Sequence, residues 1–168
     1  AWVFLRQEAF SVNPADYPRV GANPRRLVVY FSRMGYGKRL AYEEAERTGA
    51  EIYELRSTER TAGALGFWWC GRCAMHRWDM PIEPVTVDLT RYERVTICTP
   101  IWVFALAAPV RAFCRQSAGK IRAYDAIVVH HQNSVYENAV QEMDALLGIR
   151  HDGLRSVRCR EGRYKSIA

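Results

Sequence analysis

Apolar residues in this chain fall into short β-branched runs separated by amphipathic stretches, and the pattern becomes regular at Arg26. The run Leu27-Val28-Val29-Tyr30-Phe31 is apolar at both parities, which predicts a strand buried on both faces, as in a parallel sheet. A polar turn over 32–37 leads into 38–48, where Leu40, Ala41 and Ala45 among Glu43, Glu44 and Glu46 predict an amphipathic helix stopped by Gly49. Residues 51–55 predict a second strand, reached by a right-handed crossover if the two strands are parallel. The aromatic stretch 62–78 predicts a core-facing helix closed by Pro81 and Pro84, and 85–88 a short extended piece.

A third main strand is expected over 95–98, followed by a loop over 99–107 and a helix with Pro109 in its first turn and Val110, Phe113 and Cys114 as its buried stripe. Residues 126–130 predict a fourth strand, followed by a loop over 131–137 and a helix over 139–147. Asn138 and Gln141 have the spacing of a capping pair for that helix. Its apolar positions are Val140, Met143, Leu146 and Leu147, and Gly148 stands beyond its end. Residues 154–159 supply a fifth strand. Ahead of all this, residues 1–25 hold three of the seven prolines, two as Asn13-Pro14 and Asn23-Pro24, and no clean period. We therefore expect an N-terminal arm over 1–25 and one domain over 26–168. Trp2, Val3, Phe4 and Leu5 are too apolar to stay in solvent, so the arm should pack along the domain or a partner.

Strands alternating with helical connections predict an α/β fold, a doubly wound five-stranded parallel sheet. Ligands of such sheets bind outside the carboxyl ends of the strands, and the loops after Phe31, Cys98 and His130 meet there. Length and composition agree: 168 residues, 49% apolar and 25% charged, suit one core without disulfide staples. Five cysteines scattered through strands and helices read as reduced thiols. No stretch is long and apolar enough to cross a membrane, and the opening residues lack the pattern of an export signal, which favours the cytoplasm. The formal charge of +6 is spread over Arg25, Arg26, Arg33, Arg56, Arg60, Arg91, Arg111, Arg155 and Arg158 between acidic residues. That reads as a mixed solvated surface, with neither nucleic acid nor membrane expected as a partner.

Candidate chemistry sits in the strand-end loops. Ser32-Arg33-Met34-Gly35-Tyr36-Gly37-Lys38 joins a buried strand to a helix, so backbone N–H groups and the positive end of a helix dipole converge on a point where a phosphate can be held. The same turn also serves chain geometry alone. Thr99-Pro100-Ile101-Trp102-Val103-Phe104 sets two aromatics near the same crevice, where they either stack on a planar ring or roof the core. Of the adjacent His130 and His131, opposite pleat directions allow one to reach the crevice, and His131 is the candidate, for a hydrogen bond or proton delivery. Cys70-Gly71-Arg72-Cys73 with His76 has the spacing of a redox pair. Its position inside a helix reads as two packed thiols one turn apart.

Residues 27–38 resemble the first strand and phosphate loop of the flavodoxin family. Thr99-Pro100-Ile101-Trp102 followed by Ala108-Pro109-Val110-Arg111-Ala112-Phe113 resembles that family's second flavin loop and helix. The likeness spans about 26–158. It implies the strand order 2-1-3-4-5 and flavin mononucleotide (FMN) as cofactor, with its phosphate at Ser32 to Lys38. The isoalloxazine would lie between the Trp102 loop and a third loop that includes His131, Gln132, Asn133 and Tyr136. Met34 and Gly37 stand where the family carries hydroxyl residues, and the third loop is not glycine-rich. Two functions follow: an FMN protein in electron transfer or small-molecule reduction of the quinone type, or a fold that has lost FMN and uses the crevice for another ligand or a protein partner. The first implies a redox partner protein or a small-molecule acceptor, with a homodimer as one arrangement.

Overall fold

The computed structural model describes residues 2–5, 7 and 9–168, with Trp2 and Val3 described through their backbone alone. The expectation that those two side chains pack on the domain lies outside the described residues. A short helix α1 (Trp2–Leu5) and a 3-10 turn at Pro14–Asp16 precede the strand β1 (Asn23–Tyr30). There follow α2 (Tyr36–Thr48), β2 (Ala50–Glu54), α3 (Gly63–Met75), β3 (Arg94–Trp102), β4 (Ala105–Leu106) and α4 (Ala108–Gln116). The chain ends in β5 (Tyr124–His130), α5 (Glu137–Leu147), β6 (Gly153–Arg160) and β7 (Arg163–Ser166).

The sheet order is β2-β1-β3-β5-β6-β7, with every pair parallel up to β6. With β4 and β7 set aside, this is the doubly wound five-stranded order 2-1-3-4-5. The uninterrupted apolar run of β1 is explained by its two neighbours in the core. Leu27, Val29 and Phe31 face a cluster built on Val110, Phe113, Val140 and Met143 of α4 and α5. Val28 and Tyr30 face Leu40, Ala41 and Ala45 of α2. Gly49 ends α2 in the left-handed region at φ 71°, and Gly148 ends α5 likewise at φ 74°.

Several elements depart from the sequence pattern, each for a local reason. β1 starts at Asn23, inside the expected arm, because Asn23 pairs with Ala50 and donates its amide to the Gly49 carbonyl at 2.6 Å. The segment 85–88 makes no strand: Val85 and Val87 pack against the core, and the bridge in this region joins Ser57 to Ile82. The expected loop 99–107 is largely a hairpin, since β3 continues to Trp102 and returns as β4 through a two-residue turn at Val103 and Phe104. Asn138 does not cap α5. The helix starts two residues earlier, at Glu137, Tyr136 holds the cap position in the left-handed region, and the Asn138 amide donates to the Phe104 carbonyl at 3.0 Å. α3 is not core-facing around its circumference. At 3.6 residues per turn three consecutive aromatics cannot share one face, so Cys70, Cys73 and Ala74 turn inward while Phe67, Trp68 and Met75 remain exposed.

Two arginines from the supposed solvated surface are buried structural ties. Arg111, 1% exposed, pairs with Glu142 at 2.5 Å and donates to the carbonyls of Trp78 and Leu106 at 2.9 and 3.0 Å, joining α4, α5 and the chain after α3. Arg33 is the second, and it belongs to the crevice.

Candidate functional site

The crevice lies beyond the carboxyl ends of β1, β3 and β5, a cavity of about 490 Å³ whose floor comes from the strand ends and whose far wall is α3. Its phosphate-loop side is built by the turn from β1 into α2. The Ser32 hydroxyl oxygen accepts the Gly35 amide at 3.0 Å, which folds the loop back on itself. Gly35 has φ 92°, and a Cβ there would meet the Phe10 carbonyl oxygen at 2.0 Å, so no other residue fits under the arm. The amides of Tyr36, Gly37 and Lys38 open α2 and meet no acceptor among the described residues. They form a set of free donors at the positive end of a thirteen-residue helix.

Arg33 does not point its charge into that set. Its guanidinium donates to Thr61 O at 2.8 Å, to Gly63 O at 3.4 Å and to the carbonyl of Phe4, and it stacks over Phe67 at 5.6 Å. It therefore binds the arm and the segment before α3 to the crevice rim. Phe4 lies inside the crevice, edge-on to His131 at 4.9 Å. Burial pulls the Arg33 pKa down, and the neighbouring Cys70 partly offsets this.

Of the residues expected at the site, Ser32, Arg33, Met34, Tyr36, Gly37, Pro100, Ile101, Trp102, Val103 and His131 line this one cavity. Gly35 and Lys38 belong to its loop without lining it. Thr99 is buried with its hydroxyl on the Pro100 carbonyl. Phe104 projects outward from the turn. Gln132 and Asn133 are exposed, and Tyr136 is buried in the core against His130 at 4.9 Å. The pleat argument that admits only one histidine fails, because β5 ends at His130 and both rings line the cavity.

His130 is the more constrained of the two. Nδ1 lies 2.7 Å from the Gln132 carbonyl, which can only accept, so Nδ1 carries the proton and Nε2 takes the Ser156 hydroxyl at 2.7 Å. Burial lowers its pKa below the ordinary histidine value, against a smaller opposing effect of the Gln132 bond.

The wall missing from the sequence reading is α3: Phe67, Trp68, Cys70, Gly71, Arg72 and Met75 all line the cavity. The signal available was a run of aromatics too long for one helical face. Trp68 of this helix, expected to face the core, and Trp102 thus stand at the same crevice. Cys70 and Cys73 are free thiols one turn apart. Burial pushes Cys70 up to about 12, with Arg33 pulling weakly the other way, and Cys73 is also raised by burial. Such thiols stay protonated and are poor nucleophiles. No cluster of metal-ligating side chains occurs among the described residues, and no helix there is long and apolar enough to cross a membrane.

No protein-family model matches the sequence, and no curated protein matches it. Similar solved structures exist. A flavoprotein from Lactobacillus acidophilus in complex with FMN has 18% identity and a TM-score of 0.67, over 80% of this chain and 93% of that one. A candidate flavoprotein from Bacteroides uniformis has 21% identity and a TM-score of 0.70, over 83% and 94%. One from Bacteroides eggerthii has 18% and 0.70, over 83% and 92%. The parallel order 2-1-3-4-5, the strand-end crevice and these likenesses together identify the fold of this chain as flavodoxin-like.

Proposed function

We propose that the crevice binds FMN and that the protein works in electron transfer or as a small flavin-dependent reductase. One observation carries this reading: three amides at the head of α2, without a partner among the described residues, open beside a cavity walled by aromatic and apolar side chains. The donors suit the dianionic phosphate, each charge-assisted hydrogen bond contributing about 1.5–3 kcal/mol. The Ser32 hydroxyl, already accepting from Gly35, keeps its own proton to donate. Trp102 and Phe67 suit the faces of a fused ring system. When bound, FMN supplies one- and two-electron chemistry, and the chain supplies binding, orientation and charge. The resemblance of the loops after β1 and β3 and the FMN-bound flavoprotein from L. acidophilus agree with this reading.

A second reading, a flavodoxin-like protein that uses the crevice for another ligand, is favoured by Arg33. Its guanidinium is committed to three protein carbonyls and cannot replace the hydroxyl donors absent at Met34 and Gly37. Titration with FMN and with riboflavin, which lacks the phosphate, separates the two. FMN should bind at least about tenfold more tightly than riboflavin, a difference of about 1.4 kcal/mol. Equal affinities would remove the phosphate role of α2, and failure of both to bind would leave the second reading.

A further inference from the structure

The α3 wall carries one cation, Arg72, that is paired with no acid among the described residues. Arg33 and Arg111 are committed to carbonyls and to Glu142, and Arg77 faces Glu142 at 3.7 Å. Arg72 has neither an ion pair nor a side-chain hydrogen bond among the described residues. Its guanidinium carbon instead stands 5.5 Å from the ring centroid of Trp68 and 5.6 Å from that of Trp78. These indoles are 59% and 43% exposed. Ring contacts take up the face of a guanidinium and leave the N–H donors around its edge free. That planar fork matches a carboxylate in bidentate geometry. Contact with two rings also restrains a side chain that otherwise carries about 2 kcal/mol of rotamer entropy, so less is lost when an anion docks.

Arg72 and Trp68 are also residues of the crevice lining, with Gly71 and Met75 on the same helix and Trp102 in the same cavity. An apolar, aromatic wall and a planar cation that meets no acid among the described residues therefore share one cavity. The wall favours a flat ring, and the cation favours an acid attached to it.

We propose that this crevice recognises a planar aromatic carboxylic acid, its ring against the Trp68 and Met75 side of α3 and its carboxylate on Arg72. Binding of the acid at Arg72 does not need the flavin reading and is measured separately.

Calorimetric titration of the purified protein, as isolated and after FMN addition, with 4-nitrobenzoate and its uncharged isostere 4-nitrobenzamide tests it. The acid should bind at least about tenfold more tightly than the amide. Arg72→Gln should abolish that preference and Arg72→Lys should keep part of it, with unchanged near-ultraviolet circular dichroism in both. The ratio of FMN to riboflavin affinity should be the same in Arg72→Gln as in the parent. Equal affinity for acid and amide in the parent would overturn the proposal, as would a preference that survives Arg72→Gln. A selective loss of FMN affinity over riboflavin in Arg72→Gln would also overturn it, because Arg72 would then be a ligand of the flavin phosphate. A protein that takes up no flavin yet prefers the acid through Arg72 would sink the flavin reading and support this one.

Discussion

His130 sits where the ends of β5 and β6 meet the crevice, and its neutral form is built into the structure by a carbonyl on one ring nitrogen and a hydroxyl on the other. Its pKa is depressed, chiefly by burial. The unfolded chain then binds a proton at higher pH than the folded one, so the stability His130 contributes is present above about pH 6.5 and is lost as pH falls through the folded pKa. We expect the parent protein to lose more stability than His130→Gln between about pH 7.5 and pH 5.5, a window above carboxylate titration. Urea midpoints at the two pH values measure this, and identical losses in both proteins would show that His130 is not the group responsible. The side chains that differ from the sequence reading differ for one reason. Arg33 and Arg111 have the composition of surface residues, but their partners, backbone carbonyls and for Arg111 also Glu142, are brought near by the fold. No spacing along the chain reveals such partners.

Among the elements, the β3–β4 hairpin was the least legible, because its turn lacks the residues that announce one. Val103 and Phe104 both adopt left-handed backbone, φ 48° and 61°, where Asn-Gly is the ordinary choice and a β-branched residue is strained. The Asn138 side chain holds the turn at the Phe104 carbonyl. Replacing the pair as Val103→Asn with Phe104→Gly should raise stability by about 1–3 kcal/mol, since residues in such regions cost about that much. Thermal melting would measure it. A flat or lowered melting point would mean that apolar contacts at the turn outweigh the strain. β1, α2, α4 and β5 were readable because each buries a stripe, or both faces, of contiguous sequence against the core. β7 was not: Arg163, Tyr164, Lys165 and Ser166 pair only with β6 at the sheet edge, and three of the four are exposed. α3 was readable as a helix but not as a crevice wall, since its exposed aromatics have the same composition as a buried stripe.

For the whole molecule the net charge of +6 matters more than any one pair. A flavin in the crevice gains negative charge on full reduction, and a positive summed field favours that state. The hydroquinone potential should therefore become more negative when salt is raised from low to high, as screening removes the field over a Debye length of about 8–10 Å at ordinary ionic strength. Redox titration at two salt concentrations reads this directly. A potential that ignores salt, or moves the other way, would show that distant surface charge does not reach the ring. The crevice itself draws on the whole sequence, with Phe4 and Cys159 lining the same cavity as the ends of β1, β3 and β5. While a nascent chain is being made, the lining stays incomplete until β6, which carries Cys159, has emerged and docked. A ligand of this site thus selects finished molecules over partial ones, and its binding energy is shared by the arm, the sheet and α3 as one cooperative unit.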